Sequence, residues 1–137
     1  MNLPLQSRAR DKAFEFIAYM TAEKFRFLAL SIPGACESEH MGHPDFPLEG
    51  RIFATLGYPD HQYGMIKLAP AKQKEFVNKA PEVFSPRSGM WGRRGATAVQ
   101  LAAASVSLIR AALAEAHRNA VEKRSPRQQT RYHRTRG

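Results

Sequence analysis

The chain has very little cysteine: Cys36 stands alone among 137 residues. An internal disulfide is therefore excluded, which fits a reducing compartment. No apolar run approaches the ~18–20 residues that a membrane-spanning helix needs. Where a secretory signal would place its apolar stretch, the N-terminal segment carries Arg8, Arg10, Asp11 and Lys12. The cytoplasm is the expected location. Catalytic signatures are also lacking. There is no Walker loop, and Gly92-Arg93-Arg94-Gly95 is not preceded by the strand and glycine pattern of a dinucleotide fingerprint. No Ser/His/Asp or Cys/His set has convincing spacing, and Glu37, Glu39 and Asp45 are scattered acids. Triads are assembled in space, so spacing alone is not disproof. The expectation is a protein that binds, with no enzymatic activity and no cofactor.

What the chain does have is positive charge. The formal net charge is +9 and the isoelectric point is near 10.2, which suits an anionic partner. The excess is uneven. Residues 1–19 contribute +1, residues 20–120 contribute +3 and residues 121–137 contribute +5. The length suits one domain, expected at residues 20–120. In the last segment Lys123, Arg124, Arg127, Arg131, Arg134 and Arg136 stand among almost no apolar residues. Such a segment cannot bury enough surface to offset its ordering entropy, so it reads as a disordered basic tail. It would attract polyanions without reading sequence, with Tyr132 and His133 available for stacking; a purely solubilising role is the alternative.

Met20 precedes a good helix start, in which Thr21 is placed to cap and Glu23 follows in the first turn. Met20 thus reads as the natural start, with residues 1–19 an upstream extension. In the alternative, Ala13, Phe14, Ile17 and Ala18 form a helix face that packs on the domain. Phe25, Leu28, Ala29 and Ile32 recur at helical spacing, and Pro33-Gly34 stops the helix. Strands follow. A short one is expected from Glu37 to Met41, turn chemistry at Pro44-Asp45, a core anchor at Phe46 and a two-residue hairpin turn at Glu49-Gly50. Arg51 to Leu56 and Gly64 to Leu68 read as strands, with a turn at 57–60 between them. Pro47 lacks a donor, which predicts an edge position for its strand.

Pro70 opens a second helix with Phe76 and Val77 inward, ended by Pro81. Residues 83–95 read as largely loop. Thr97, Val99 and Leu101 alternate as a last strand. A third helix is expected over about 104–119, with Val106, Ile109, Leu113 and Ala116 inward. The order predicts an α+β fold: an antiparallel sheet with the helices packed on one face.

Five stretches, Phe27 to Gly34, His40 to Phe46, Gly50 to Leu56, Gly64 to Pro70 and Met90 to Thr97, are collinear with a known pattern. In them the chain resembles the MmcQ/YjbR family, small bacterial proteins described as DNA-binding. The resemblance spans about residues 20–119. It implies a compact α+β fold like that of the CyaY/frataxin-like proteins and a DNA-binding role. Pro47 departs from the ordinary strand residue expected there.

The candidate site follows from residue chemistry. Gly89-Met90-Trp91-Gly92-Arg93-Arg94-Gly95 combines tight-turn glycines, two arginines able to face phosphate and an indole face for a base. Its alternative reading is a Trp91 that anchors the loop to the core while the arginines are solvated. Lys67 and Arg51 would join Arg93 and Arg94 if the strands expose them together, against the alternative of a solvated sheet face. A second functional reading is a pocket for a small molecule or protein partner lined by Trp91, Phe46, Phe53, Tyr63 and His43. His40, His43, Asp45 and His61 lack the tight three- or four-ligand set of a metal site; His43 and Asp45 are expected to hydrogen-bond across the Pro44 turn. DNA is the expected partner, and a monomer the expected state.

Overall fold

The computed structural model of the chain describes residues 20–58 and 60–123. The face drawn through Ala13, Phe14, Ile17 and Ala18 lies outside the described residues. So do Arg124, Arg127, Arg131, Tyr132, His133, Arg134 and Arg136.

The first helix, α1 (Ala22–Leu30), begins as its sequence dictates: the Thr21 side chain accepts a hydrogen bond from the Lys24 backbone N–H at 3.1 Å. This satisfies one of the unpaired donors of the first turn. Phe25, Leu28 and Ala29 are buried. Strands β1 (Ser38–His40), β2 (His43–Leu48), β3 (Arg51–Leu56) and β4 (Tyr63–Lys67) follow as an antiparallel meander. The turn between β2 and β3 is at Glu49 and Gly50, both at positive φ (54° and 80°), the conformation whose twist suits a two-residue hairpin.

Two local expectations are corrected here. The turn placed at Pro44-Asp45 is instead at Met41 and Gly42 (φ 54° and 82°), and Pro44 and Asp45 lie within β2. His43 and Asp45 therefore sit on one strand and do not face each other across a turn. Nor is Pro47 on an edge strand. The sheet order is β1-β2-β3-β4-β6-β5, so β1 shields β2 from the edge. The register with β3 shifts between Phe46 and Pro47, and on the outer side the Pro47 carbonyl accepts from the Cys36 N–H at 3.2 Å.

Helix α2 (Pro70–Lys79) has Pro70 in its first turn and buries Phe76. Residues 83–95 are not a loop. They form edge strand β5 (Phe84–Pro86) and the short helix α3 (Gly89–Arg93) before β6 (Ala96–Gln100) returns to the sheet interior beside β4. A 3₁₀ turn at Leu101–Ala103 leads into α4 (Val106–Glu122), which Ser105 caps through the Leu108 N–H. Helix α4 passes the residue-120 boundary read from the sequence.

Register decides which residues meet. Phe46, Ala54, Ile66 and Thr97 are paired across β2, β3, β4 and β6 and share one face; Asp45, Thr55, Met65 and Ala98 share the other. Against the first face Phe25 meets Phe46 with ring centroids 6.4 Å apart, and Phe76 of α2 meets Phe84 at 5.3 Å. Ile109, Leu113 and Ala116 of α4 belong to the same buried cluster. Met65 and Ala98 are buried but lie outside it. The fold is thus α+β, a six-stranded antiparallel sheet with four helices and its main core on one face. Among the described residues no helix is long and apolar enough to cross a membrane.

Candidate nucleic-acid interface

The segment from Ser88 to Gly95 is shaped by backbone contacts that a side chain would forbid. A Cβ on Gly92 would stand 1.5 Å from the Arg87 carbonyl oxygen, and one on Gly95 would stand 1.7 Å from that of Leu68. These approaches let α3 lie flat on the chain beside it. The Leu68 N–H donates to the Gly95 carbonyl at 2.9 Å, tying the end of β4 to the start of β6. From α2, the buried Gln73 amide reaches in. Its Nε2 lies 3.0 Å from the Gly92 carbonyl, 3.1 Å from the Ala96 carbonyl and 3.1 Å from Thr97 Oγ1. Thr97 Oγ1 in turn donates to the Gly95 carbonyl at 2.9 Å. The Gly/Arg/Trp segment is therefore rigidly mounted, and Gln73 is the residue that sequence reasoning missed. A lone polar residue at an inward position of α2 was its only signal.

That mounting sets Trp91 and Arg94 beside the end of the sheet where β3 starts and β4 finishes. A cleft of about 430 Å³ opens there. Its lining includes Arg51 and Phe53 of β3, Lys67 of β4, Trp91 of α3, and Asn119 and Lys123 from the last turns of α4. Trp91 is 45 % exposed, so it is not the core anchor of the alternative reading. The Arg87 guanidinium lies over both the Trp91 ring (5.8 Å) and the Tyr58 ring (4.8 Å), which steadies the indole from the β5 side.

The cations converge in part as expected. Lys67 is half-buried and its pKa is held below the ordinary value of 10.5, first by desolvation and then by repulsion from Lys123, Arg51 and Arg94. These four charges therefore share one field. Arg51, Arg94 and Lys123 are exposed. Arg26–Glu37, Lys72–Glu75 and Arg118–Glu115 are ion pairs among the described residues, and none of these three involves the four cations. Arg93 is exposed but is not among the charges acting on Lys67. Asp45 contributes a carboxylate to the cleft lining.

The ligand pocket read from the sequence does not assemble as one site. Trp91 and Phe53 line the cleft, but Phe46 is wholly buried in the core. Tyr63 is paired with Gln100 at 3.5 Å, and His43 packs edge-on against Tyr58 with centroids 5.8 Å apart. His40 and His43 face each other across the β1–β2 hairpin. No group of three or more His, Cys, Asp or Glu side chains among the described residues could hold a metal ion.

Comparison with known proteins bears on the fold alone. The structure superposes on the crystal structure of Deinococcus radiodurans protein DR2400, a DUF419 domain, with a TM-score of 0.67. The match covers 83 % of this chain and 88 % of that one at 14 % identity. This chain shares the DUF419 fold. No protein-family model matches the sequence, and no curated protein matches it.

Proposed function

We propose that this protein binds DNA through its phosphate backbone, acting by binding and without catalysis, with the cleft at the end of β3 and β4 as the contact site of the folded domain. The observation that carries this reading is the convergence of Lys67, Lys123 and Arg51 on a cleft that also exposes Trp91, with Arg94 close enough to repel the Lys67 ammonium. Four like charges repel one another unless an anion is placed among them, and a phosphate backbone supplies several. Arg93 adjoins Arg94 in the sequence, and Arg124, Arg127 and Arg131 follow Lys123, adding basic residues for further phosphate contacts. DUF419, the domain of the structural neighbour, is related to the MmcQ/YjbR family that the five sequence stretches resemble. The cytoplasm is the compartment that suits this role.

The test is fluorescence anisotropy of labelled DNA against the full chain over a range of salt. If Lys67, Lys123, Arg51 and the neighbouring Arg94 all engage phosphates, log affinity should fall with log salt at a slope of about −3 to −4. Arg51→Ala combined with Arg94→Ala should flatten the slope by about two. Neutralising Arg124, Arg127 and Arg131 to glutamine separates the last segment from the cleft. If that triple change removes all binding while the cleft pair changes nothing, the cleft is not the contact site.

A second reading has one observation in its favour. The cleft volume lies within the range of small-molecule pockets, ~300–1,000 Å³, and Trp91 and Phe53 give it an apolar part. A small anionic ligand or an acidic protein segment would then be the partner. A Trp91 emission change on adding such a ligand, with none on adding DNA, would favour it.

A further inference from the structure

We propose that the cleft takes one unpaired nucleotide, its phosphate among Lys67, Arg51 and Lys123 and its base on Trp91, so that the preferred DNA is single-stranded. This rests on the DNA-binding reading above and narrows it to a substrate class.

Three features of the cleft point the same way. The first is depth. Lys67 is half-buried at the end of β4, flanked by the first residues of β3 and the last turns of α4. A duplex presents its phosphates on a stiff convex surface, which meets exposed side chains but does not enter a recess. A single strand has free backbone torsions and can lower one phosphate to the Lys67 ammonium.

The second feature is the indole. Trp91 is 45 % exposed on the same cleft, with the Arg87 guanidinium over its ring at 5.8 Å. Bases in a duplex already stack on one another and offer no free face. An unpaired base does, and base–aromatic stacking tolerates any sequence because every base has a π-face. A purely phosphate-binding surface has no use for an exposed tryptophan held in place by an arginine.

The third is size and polarity. The volume of about 430 Å³ suits a small-molecule-sized unit, and Asn119, Thr55 and Asp45 line the cleft with groups able to bond a base edge or a sugar hydroxyl. Against Arg51, Lys67 and Lys123 the lining sets the Asp45 carboxylate, so the cleft keeps an excess of positive charge.

The 137-residue chain is suited to a direct test, because Trp91 is the one tryptophan in it and its emission reports this site. Three probes are compared at one salt concentration: a single strand of about 12 nucleotides, the duplex of the same sequence, and a free mononucleotide. The single strand should bind at least ~10-fold more tightly than the duplex and quench Trp91. Trp91→Ala should weaken single-strand binding roughly 5- to 150-fold and leave duplex binding unchanged, while Trp91→Phe should restore most of the loss. Circular dichroism of both variants checks that the fold is kept.

Duplex binding as tight as single-strand binding, with Trp91 emission unchanged, overturns the inference while the DNA-binding reading stands. If neither nucleic acid binds, both fall. A mononucleotide that binds as tightly as the strand overturns the strand as ligand and makes the cleft a nucleotide site.

Discussion

Gln73→Ala is the perturbation that most directly tests how the site is held. Gln73 is buried, and its amide nitrogen reaches three acceptors in the Gly92–Thr97 segment. Two of those acceptors keep another partner: the Gly92 carbonyl also accepts from the Gly95 N–H, and the Ala96 carbonyl from the Arg87 N–H. Removal therefore does not strand them completely. Two amide protons at ~0.5–1.5 kcal/mol per net hydrogen bond give about 1–3 kcal/mol. The space left by the truncated side chain adds about 1 kcal/mol more. The expected loss is about 2–4 kcal/mol, which for a domain of this size lowers the thermal midpoint by roughly 10–25 °C. Thermal unfolding by circular dichroism reads this, with urea unfolding at constant m-value as the check on two-state behaviour. The neighbouring exposed Lys74→Ala should stay within ~0.5 kcal/mol of wild type. A cycle with Thr97→Val should show a coupling of about 0.5–3 kcal/mol, since the two side chains touch. A Gln73→Ala protein that unfolds within ~0.5 kcal/mol of wild type would refute the claim that this amide mounts the segment. Trp91 emission should shift in the folded variant, because the loosened segment carries the indole.

Two further outcomes are expected. Gly92→Ala and Gly95→Ala should each cost more than ~4 kcal/mol or prevent folding, because the new Cβ meets a backbone carbonyl at 1.5 or 1.7 Å. Gly89→Ala, at φ +73° with nothing within 4 Å, should cost only ~1–2 kcal/mol; equal costs at all three positions in urea unfolding would be the contrary result. Lys67→Met should stabilise the protein near neutral pH and flatten the salt dependence of DNA binding by about one. Because the folded-state pKa of Lys67 lies below 10.5, the folded chain binds fewer protons than the unfolded chain between that lowered value and 10.5. The penalty of the buried charge is present in full below the lowered pKa, and wild-type stability recovers as pH rises through that window. The stability gap between variant and wild type should therefore narrow at alkaline pH; a gap independent of pH between 7 and 10.5 would contradict this assignment.

Much of the fold is legible along the chain because it is encoded locally. Thr21 caps α1, Pro70 opens α2, Glu49 and Gly50 turn a hairpin, and Phe46 anchors a strand; each acts through neighbours a few residues away. The errors cluster where distant partners decide. Residues 83–95, rich in glycine, proline and arginine, read as largely loop, yet they form a short strand and then a short helix, with Gly95 held against the distant Leu68 backbone. Pro47 pointed to an edge, but the added pairing of β1 moved the edge outward. Arg51, Lys67 and Arg94 were recognisable as candidates by type and alternation. That they share a field with Lys123, while Arg93 is left out of it, follows from strand register and from α4 continuing to Glu122. Composition by itself determined a positive chain with its excess charge toward the C-terminal end, since a count of charged residue types needs no geometry. Tertiary structure alone decided where that charge gathers and that Trp91 stands beside it, because side chains far apart in sequence meet only when the sheet has paired.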